Sequence, residues 1–124
     1  MDDPIKRLII TDGTVSNPRT GQSMQVKIMW DTGASSTCIA HSVVNQLGLK
    51  PFSAVLAQSA NSSDRLGMFF VNMDLGPSAF NDLPVAGLAN SQRNVADVLL
   101  GMDIIGRGDM HLTHRDGKLV FRWE

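Results

Sequence analysis

The sequence predicts a mostly β domain with one or two short helices, and three observations carry that prediction. Apolar residues alternate with polar ones over strand-length runs, as in Val26-Lys27-Ile28-Met29-Trp30 and Leu119 to Trp123. Turn-forming groups such as Asn17-Pro18-Arg19-Thr20-Gly21 and Asp116-Gly117 separate those runs. Helical spacing is confined to short stretches, clearest at Val43, Val44 and Leu47. With 124 residues, 43% hydrophobic and 19% charged, the chain suits one domain over residues 1–124. A chain of that length buries roughly two-thirds of its unfolded surface, enough for its own core.

Taken in order, Lys6 to Thr11 reads as a strand, and Val15 to Gln22 as a loop by its Pro and Gly content. Ser23 to Trp30 is the next strand and runs up to Asp31. Thr37 to Ala40 reads as a short strand, after which Ser42 can cap a helix that presents Val43, Val44 and Leu47 on one face. Gly48 ends that helix, with Pro51 beyond. Phe52 to Ala57 and Arg65 to Leu75 form the arms of a hairpin with a polar tip at Gln58-Ser59-Ala60-Asn61-Ser62-Ser63-Asp64.

In the second arm Gly67, Phe69, Val71, Met73 and Leu75 share one parity, while Leu66, Met68 and Phe70 make the opposite face apolar as well. Such a strand covers two things: the core and a bound peptide, or two layers of the protein itself. Pro77 to Pro84 is turn-rich, Val85 to Ala89 reads as an outer strand and Asn90 to Asn94 as polar loop. Asp116-Gly117 fits a two-residue type I' turn between Met110 to His114 and Leu119 to Trp123. The apolar last strand needs a cover, either a partner's terminal strand or the chain's own Lys6 to Thr11.

Asp31-Thr32-Gly33-Ala34-Ser35 puts one carboxylate at the mouth of a tight turn directly after a strand. Small and flexible residues let backbone N–H groups fold around it. Downstream stands Val98-Leu99-Leu100-Gly101-Met102-Asp103-Ile104-Ile105-Gly106, two aliphatics and a Gly ahead of a short helix. Together these segments resemble the retropepsins, the single-lobed aspartic proteases of retroviruses and their bacterial and eukaryotic relatives. The resemblance spans about residues 22–123 and is nearest the bacterial proteins that also carry a helix after the Asp loop. It implies a closed β-barrel of the acid-protease fold, one lobe, with the 52–75 hairpin as a flap.

The resemblance also implies a function, an aspartic endopeptidase acting on peptide or protein substrates with no cofactor and no metal. Its mechanism needs two facing carboxylates, and Asp-Thr-Gly occurs here once. The second therefore comes from another copy, in a C2 homodimer with one Asp31 from each subunit. Two carboxylates so close share one proton, leaving one as base toward a water and the other as acid toward the scissile carbonyl. Thr32 bonds across the axis by this resemblance, Gly33 offers its N–H to the carboxylate, and Ala34 and Ser35 complete the loop. Leu99, Leu100 and Gly101 support it. Gln58 to Asp64, with Leu66 and Met68, cover the substrate.

Certain positions depart from the retroviral pattern. Ser35 and Met102 stand where retroviral enzymes usually carry an Asp and Arg pair, and Met102 has none of a guanidinium's donors. The flap tip lacks the family's glycines, and Trp30 replaces the usual aliphatic. These departures motivate an alternative reading, a non-catalytic peptide-binding or dimerisation module of the same fold. A third reading, Asp31 as a phosphoryl acceptor, finds no acidic Mg-binding cluster or phosphate-gripping Lys beside it.

Other residues point elsewhere. A formal net charge of −1 with scattered Lys and Arg argues against nucleic acid and anionic membranes. No run is long enough to span a bilayer, and Met1-Asp2-Asp3-Pro4 is unlike a signal peptide, so a cytoplasmic location is expected. Cys38, the lone cysteine, reads as a buried structural thiol. His111 and His114 fall on opposite faces of a strand, which disfavours a shared metal, and His41 is expected to be exposed. Asp103 reads as a helix cap, and Asp12-Gly13 as a turn.

Overall fold

The computed structural model describes residues 8–58, 63–88 and 96–124, with side chains except at 55–58 and 63–65. Nine strands and two short helices occur among them: β1 (Ile10–Ser16), β2 (Ser23–Trp30), β3 (Cys38–Ile39), α1 (His41–Gln46), β4 (Ser53–Gln58), β5 (Ser63–Asp74), β6 (Ala79–Gly87), β7 (Val98–Leu100), α2 (Met102–Ile105), β8 (Met110–Arg115) and β9 (Lys118–Trp123). The order β1-β2-β7-β3-β6-β5 closes on itself, because β5 pairs back with β1. The result is a six-stranded barrel with β4 attached to β5 and a separate β8–β9 hairpin.

Alternation decides which residues fill this barrel. Val26, Ile28 and Trp30 of β2 point inward with Val15, Val71, Met73 and Val85, all buried. Each such aliphatic contributes about 1.5–3 kcal/mol by leaving water. On β5 the parity of Phe69, Val71 and Met73, continued by Leu75 just past the strand, is buried as expected. The opposite parity is not buried between layers: Phe70 is 43% exposed and stacks on Phe52.

Departures from the sequence reading have local causes. The first strand lies at Ile10–Ser16, later than Lys6 to Thr11; Lys6 and Arg7 fall outside the described residues. Asp12-Gly13 is therefore no turn but pairs with Lys27 and Val26 of β2. Gly13 is needed there for close approach, since a Cβ would lie 2.7 Å from the Asp74 carbonyl oxygen of β5. The turn comes later, where Gly21 has φ +77.

Ser42 does not cap α1. Ala40 holds that position, its carbonyl accepting the Val43 and Val44 N–H groups, and Ser42 lies inside the helix. His41 is half-buried, while Val43, Val44 and Leu47 enter the core and Gly48 turns the chain at φ +60. The segment expected as turns and an outer strand is one strand, β6, lying between β5 and β3. Its breakers are absorbed at an irregularity in the register: Asp82 takes φ 53 and donates its N–H to Asn72 Oδ1. Asn90 to Asn94 lie outside the described residues.

The terminal hairpin forms as the Asp-Gly pair dictates, with φ 53 at Asp116 and φ 74 at Gly117. Neither of its strands pairs with β1 among the described residues. Its cover is Trp30, which meets Phe121 edge-on at 4.8 Å and Trp123 at 5.5 Å between ring centroids. Trp123 is 5% exposed and donates its Nε1–H to the Ile105 carbonyl at 3.0 Å. The hairpin is thus bolted to the barrel by aromatic packing and one buried hydrogen bond.

Candidate active site

Asp31 is placed by two strands that run parallel. β2 and β7 pair at Trp30 and Leu100, and the next residue, Asp31, donates its N–H to the Leu100 carbonyl at 2.9 Å. The chain then turns away, with Ala34 N–H bonding the Asp31 carbonyl at 3.2 Å. This turn brings Gly33 N–H to 2.9 Å from Asp31 Oδ1. Asp31 and Ala34 are half-buried, whereas Thr32, Gly33 and Ser35 are exposed.

The loop is held from below by the second motif. Met102 N–H donates to the Ala34 carbonyl at 2.8 Å, and Asp103 N–H to the Ser35 carbonyl at 3.2 Å. Leu100 is fully buried and Leu99 half-buried. Gly101 passes so close to the loop that a Cβ would lie 2.7 Å from the Ser36 backbone. Met102 itself is 43% exposed and contributes only backbone to the loop.

Thr37, which sequence reasoning did not single out, is the central tie. It is 1% exposed; its Oγ1–H donates to Asp103 Oδ1 at 2.7 Å while the same oxygen accepts Gly101 N–H at 3.1 Å. Its backbone N–H donates to Asp103 Oδ2 at 3.1 Å. Asp103 does not cap α2 as expected: Gly101 holds the cap position and Asp103 lies in the first turn, where it accepts Ile104 N–H at 3.0 Å while both carboxylate oxygens clamp the segment after the Asp31 loop. A Thr six residues after an Asp and an Asp three residues after Leu100 gave no signal, because only the chain crossing brings them together. Cys38 is half-buried rather than buried, and its thiol is pushed above the ordinary range by burial first and the nearby Asp103 charge second.

A hollow of about 310 Å³ opens beside Asp31 and Thr32, walled by Leu8, Met29, Trp30 and Leu112. Leu8 and Leu112 are each 49% exposed, so one carboxylate stands beside an apolar shelf. Of the flap residues, Leu66 and Met68 are half-buried on β5, and β4 and β5 pair antiparallel from Ser53↔Met68 to Gln58↔Ser63. Ser59, Ala60, Asn61 and Ser62 lie outside the described residues, as do the side chains of Gln58, Ser63 and Asp64. Among the described residues no three His, Cys, Asp or Glu side chains gather as metal ligands.

A closed single-lobed barrel with this loop defines the retropepsin-like aspartic protease fold. The family described as gag-polyprotein putative aspartyl protease matches residues 20–107, and the chain belongs to it. No curated protein matches the chain. Solved structures with the same fold include a retropepsin-like aspartic protease from Rickettsia conorii, 16% identical with a TM-score of 0.55, covering 94% of this chain and 94% of that one. The simian foamy virus protease is 13% identical with a TM-score of 0.56, covering 79% of this chain and 92% of the viral one. The EIAV protease, solved with an inhibitor bound, is 14% identical with a TM-score of 0.54, covering 86% and 93% respectively. No helix among the described residues is long and apolar enough to cross a membrane.

Proposed function

We propose that the protein is a homodimeric aspartic endopeptidase whose site forms when Asp31 of two copies face each other across a two-fold axis. The observation that carries this reading is a single carboxylate in an Asp-Thr-Gly turn, held by Gly33 N–H and bordered by an exposed apolar shelf. One such carboxylate cannot be both acid and base at once. Two in contact share a proton, so the ionised Asp31 accepts a proton from water as the water oxygen attacks the scissile carbonyl carbon. The partner's Asp31 gives its proton to the carbonyl oxygen, forming a tetrahedral diol. Collapse of the diol breaks the C–N bond: the protonated Asp31 gives its proton to the leaving nitrogen while one diol hydroxyl returns a proton to the ionised Asp31, so the shared proton is restored and a carboxylic acid is released.

In this reading Thr32, Gly33, Ala34 and Ser35 position the carboxylate, with Leu99, Leu100 and Gly101 beneath them. The β4–β5 hairpin, including Gln58 to Asp64, Leu66 and Met68, closes over the peptide. Residues 1–124 act as one domain, and the lone Cys38 fits a reducing, cytoplasmic compartment.

Asp31→Asn tests the chemistry. It is expected to keep the fold and the dimer while lowering cleavage of an unfolded polypeptide at least about a thousandfold. Cleavage at the parent's rate by Asp31→Asn would overturn the proposal. Exposed Met102 and Ser35, in place of a charged pair, favour the alternative of a non-catalytic peptide-binding module. A peptidomimetic with a central hydroxyl separates the two, because a working dyad binds it far more tightly than the plain peptide and a passive groove does not.

A further inference from the structure

A second cavity shares no lining residue with the hollow at Asp31. It measures about 630 Å³, within the usual range for small-ligand sites, and is walled by the 17–20 loop, the 48–52 segment, Phe70 and Asp82. Its aromatic wall is Phe52 on Phe70, stacked with ring centroids 4.0 Å apart and planes 14° from parallel. These rings are 48% and 43% exposed, a large apolar surface left to water in a cavity rather than scattered on a convex face.

The walls are built rather than incidental. Asn17 is 5% exposed, and every polar group of its side chain is engaged: Nδ2–H donates to the Leu47 carbonyl at 3.0 Å, and Oδ1 accepts Arg19 N–H at 2.9 Å. Gln22 Nε2–H donates to the Gln46 carbonyl at 3.1 Å, so the 17–22 loop is fastened twice to the end of α1. Phe52 N–H donates to the Met68 carbonyl at 2.9 Å, which fixes the third wall to β5. Two cations, Arg19 and Lys50, stand on this frame with no ion-pair partner among the described residues, against one carboxylate, Asp82. The charge left over is positive.

We propose that this cavity is a second ligand site, one that takes an aromatic or similarly flat apolar group carrying a carboxylate. The flat group lies against the Phe52–Phe70 stack, and the carboxylate is held by Arg19 and Lys50, whose guanidinium and ammonium donors suit it. An occupant touches the loops at 17–20 and 48–50 and, through Phe52 and Phe70, the roots of both arms of the β4–β5 hairpin. Binding therefore ties the hairpin's base to the barrel at a distance from Asp31.

The test uses the full chain with naphthaleneacetate and its neutral counterpart naphthaleneethanol, titrated against amide resonances in solution. Naphthaleneacetate is expected to shift Arg19, Leu49, Phe70 and Asp82 and to bind about tenfold more tightly than the alcohol. The double variant R19E/K50E, at two exposed positions, is expected to erase that preference while leaving the spectrum otherwise native. Shifts centred on Asp31 and Leu112, equal affinity for acid and alcohol, or an unchanged preference in R19E/K50E would each overturn the proposal. Because every readout is binding, the outcome is independent of proteolysis by Asp31.

Discussion

At the scale of single residues, the Asp31 loop depends on polar groups that satisfy one another in a part-buried setting. Thr37 donates two hydrogen bonds to the Asp103 carboxylate, and its Oγ1 accepts the Gly101 N–H. Thr37→Val keeps the shape but leaves the buried Gly101 N–H without its acceptor and removes one of the two hydrogen bonds to Asp103 Oδ1. A loss of about 1–3 kcal/mol is expected, read as a lower urea midpoint at unchanged slope, with Thr37→Ser recovering most of it. Trp30 was legible only as an oversized neighbour of Asp31. In the fold it is the residue on which Phe121 and Trp123 rest, with its Nε1–H donating to Thr11 Oγ1 at 2.8 Å.

At the scale of elements, strands with a clean period of two were legible and irregular ones were not. Ser23–Trp30 needs no correction, because one face meets the core and the other water. β6 was obscured by Pro84 and Asp82, whose turn chemistry is spent on a register irregularity inside a strand. β1 was hidden by Asp12-Gly13, where Gly serves close approach rather than a turn. The β7–α2 junction makes the same point with a measurable consequence. Gly101→Ala is expected to destabilise by about 1–3 kcal/mol through overpacking, since its Cβ meets backbone that cannot swing aside. Gly21→Ala, at φ +77 in open space, is expected to cost about 1 kcal/mol through its backbone conformation alone. Thermal unfolding of the pair separates crowding from conformational strain.

At the scale of the whole molecule, the barrel closes but the site does not. The apolar side of the terminal hairpin is only partly used: Phe121 and Trp123 pack on Trp30, while Leu112 remains 49% exposed beside Asp31. Under the proposed function that remainder meets a second copy. Leu112→Glu is expected to give a monomer in sedimentation velocity and to abolish cleavage, with a melting temperature close to that of the unassembled parent. A dimer that persists in Leu112→Glu would place the contact elsewhere. For the parent, specific activity is expected to fall on dilution through the dimer dissociation constant, as mass action requires.

By itself the sequence determined the strand that delivers Asp31, the turn that follows it, the buried run before Gly101 and the Asp116-Gly117 hairpin. Each is written in neighbours along the chain, where side-chain period and turn chemistry act. Only the tertiary structure decided what holds those pieces in register: Thr37 against Asp103, Gly101 against Ser36, Trp30 under Trp123, and the cavity between Arg19, Lys50 and the Phe52–Phe70 stack. These contacts join residues far apart in the chain. Their energy comes from a closure that no local pattern encodes.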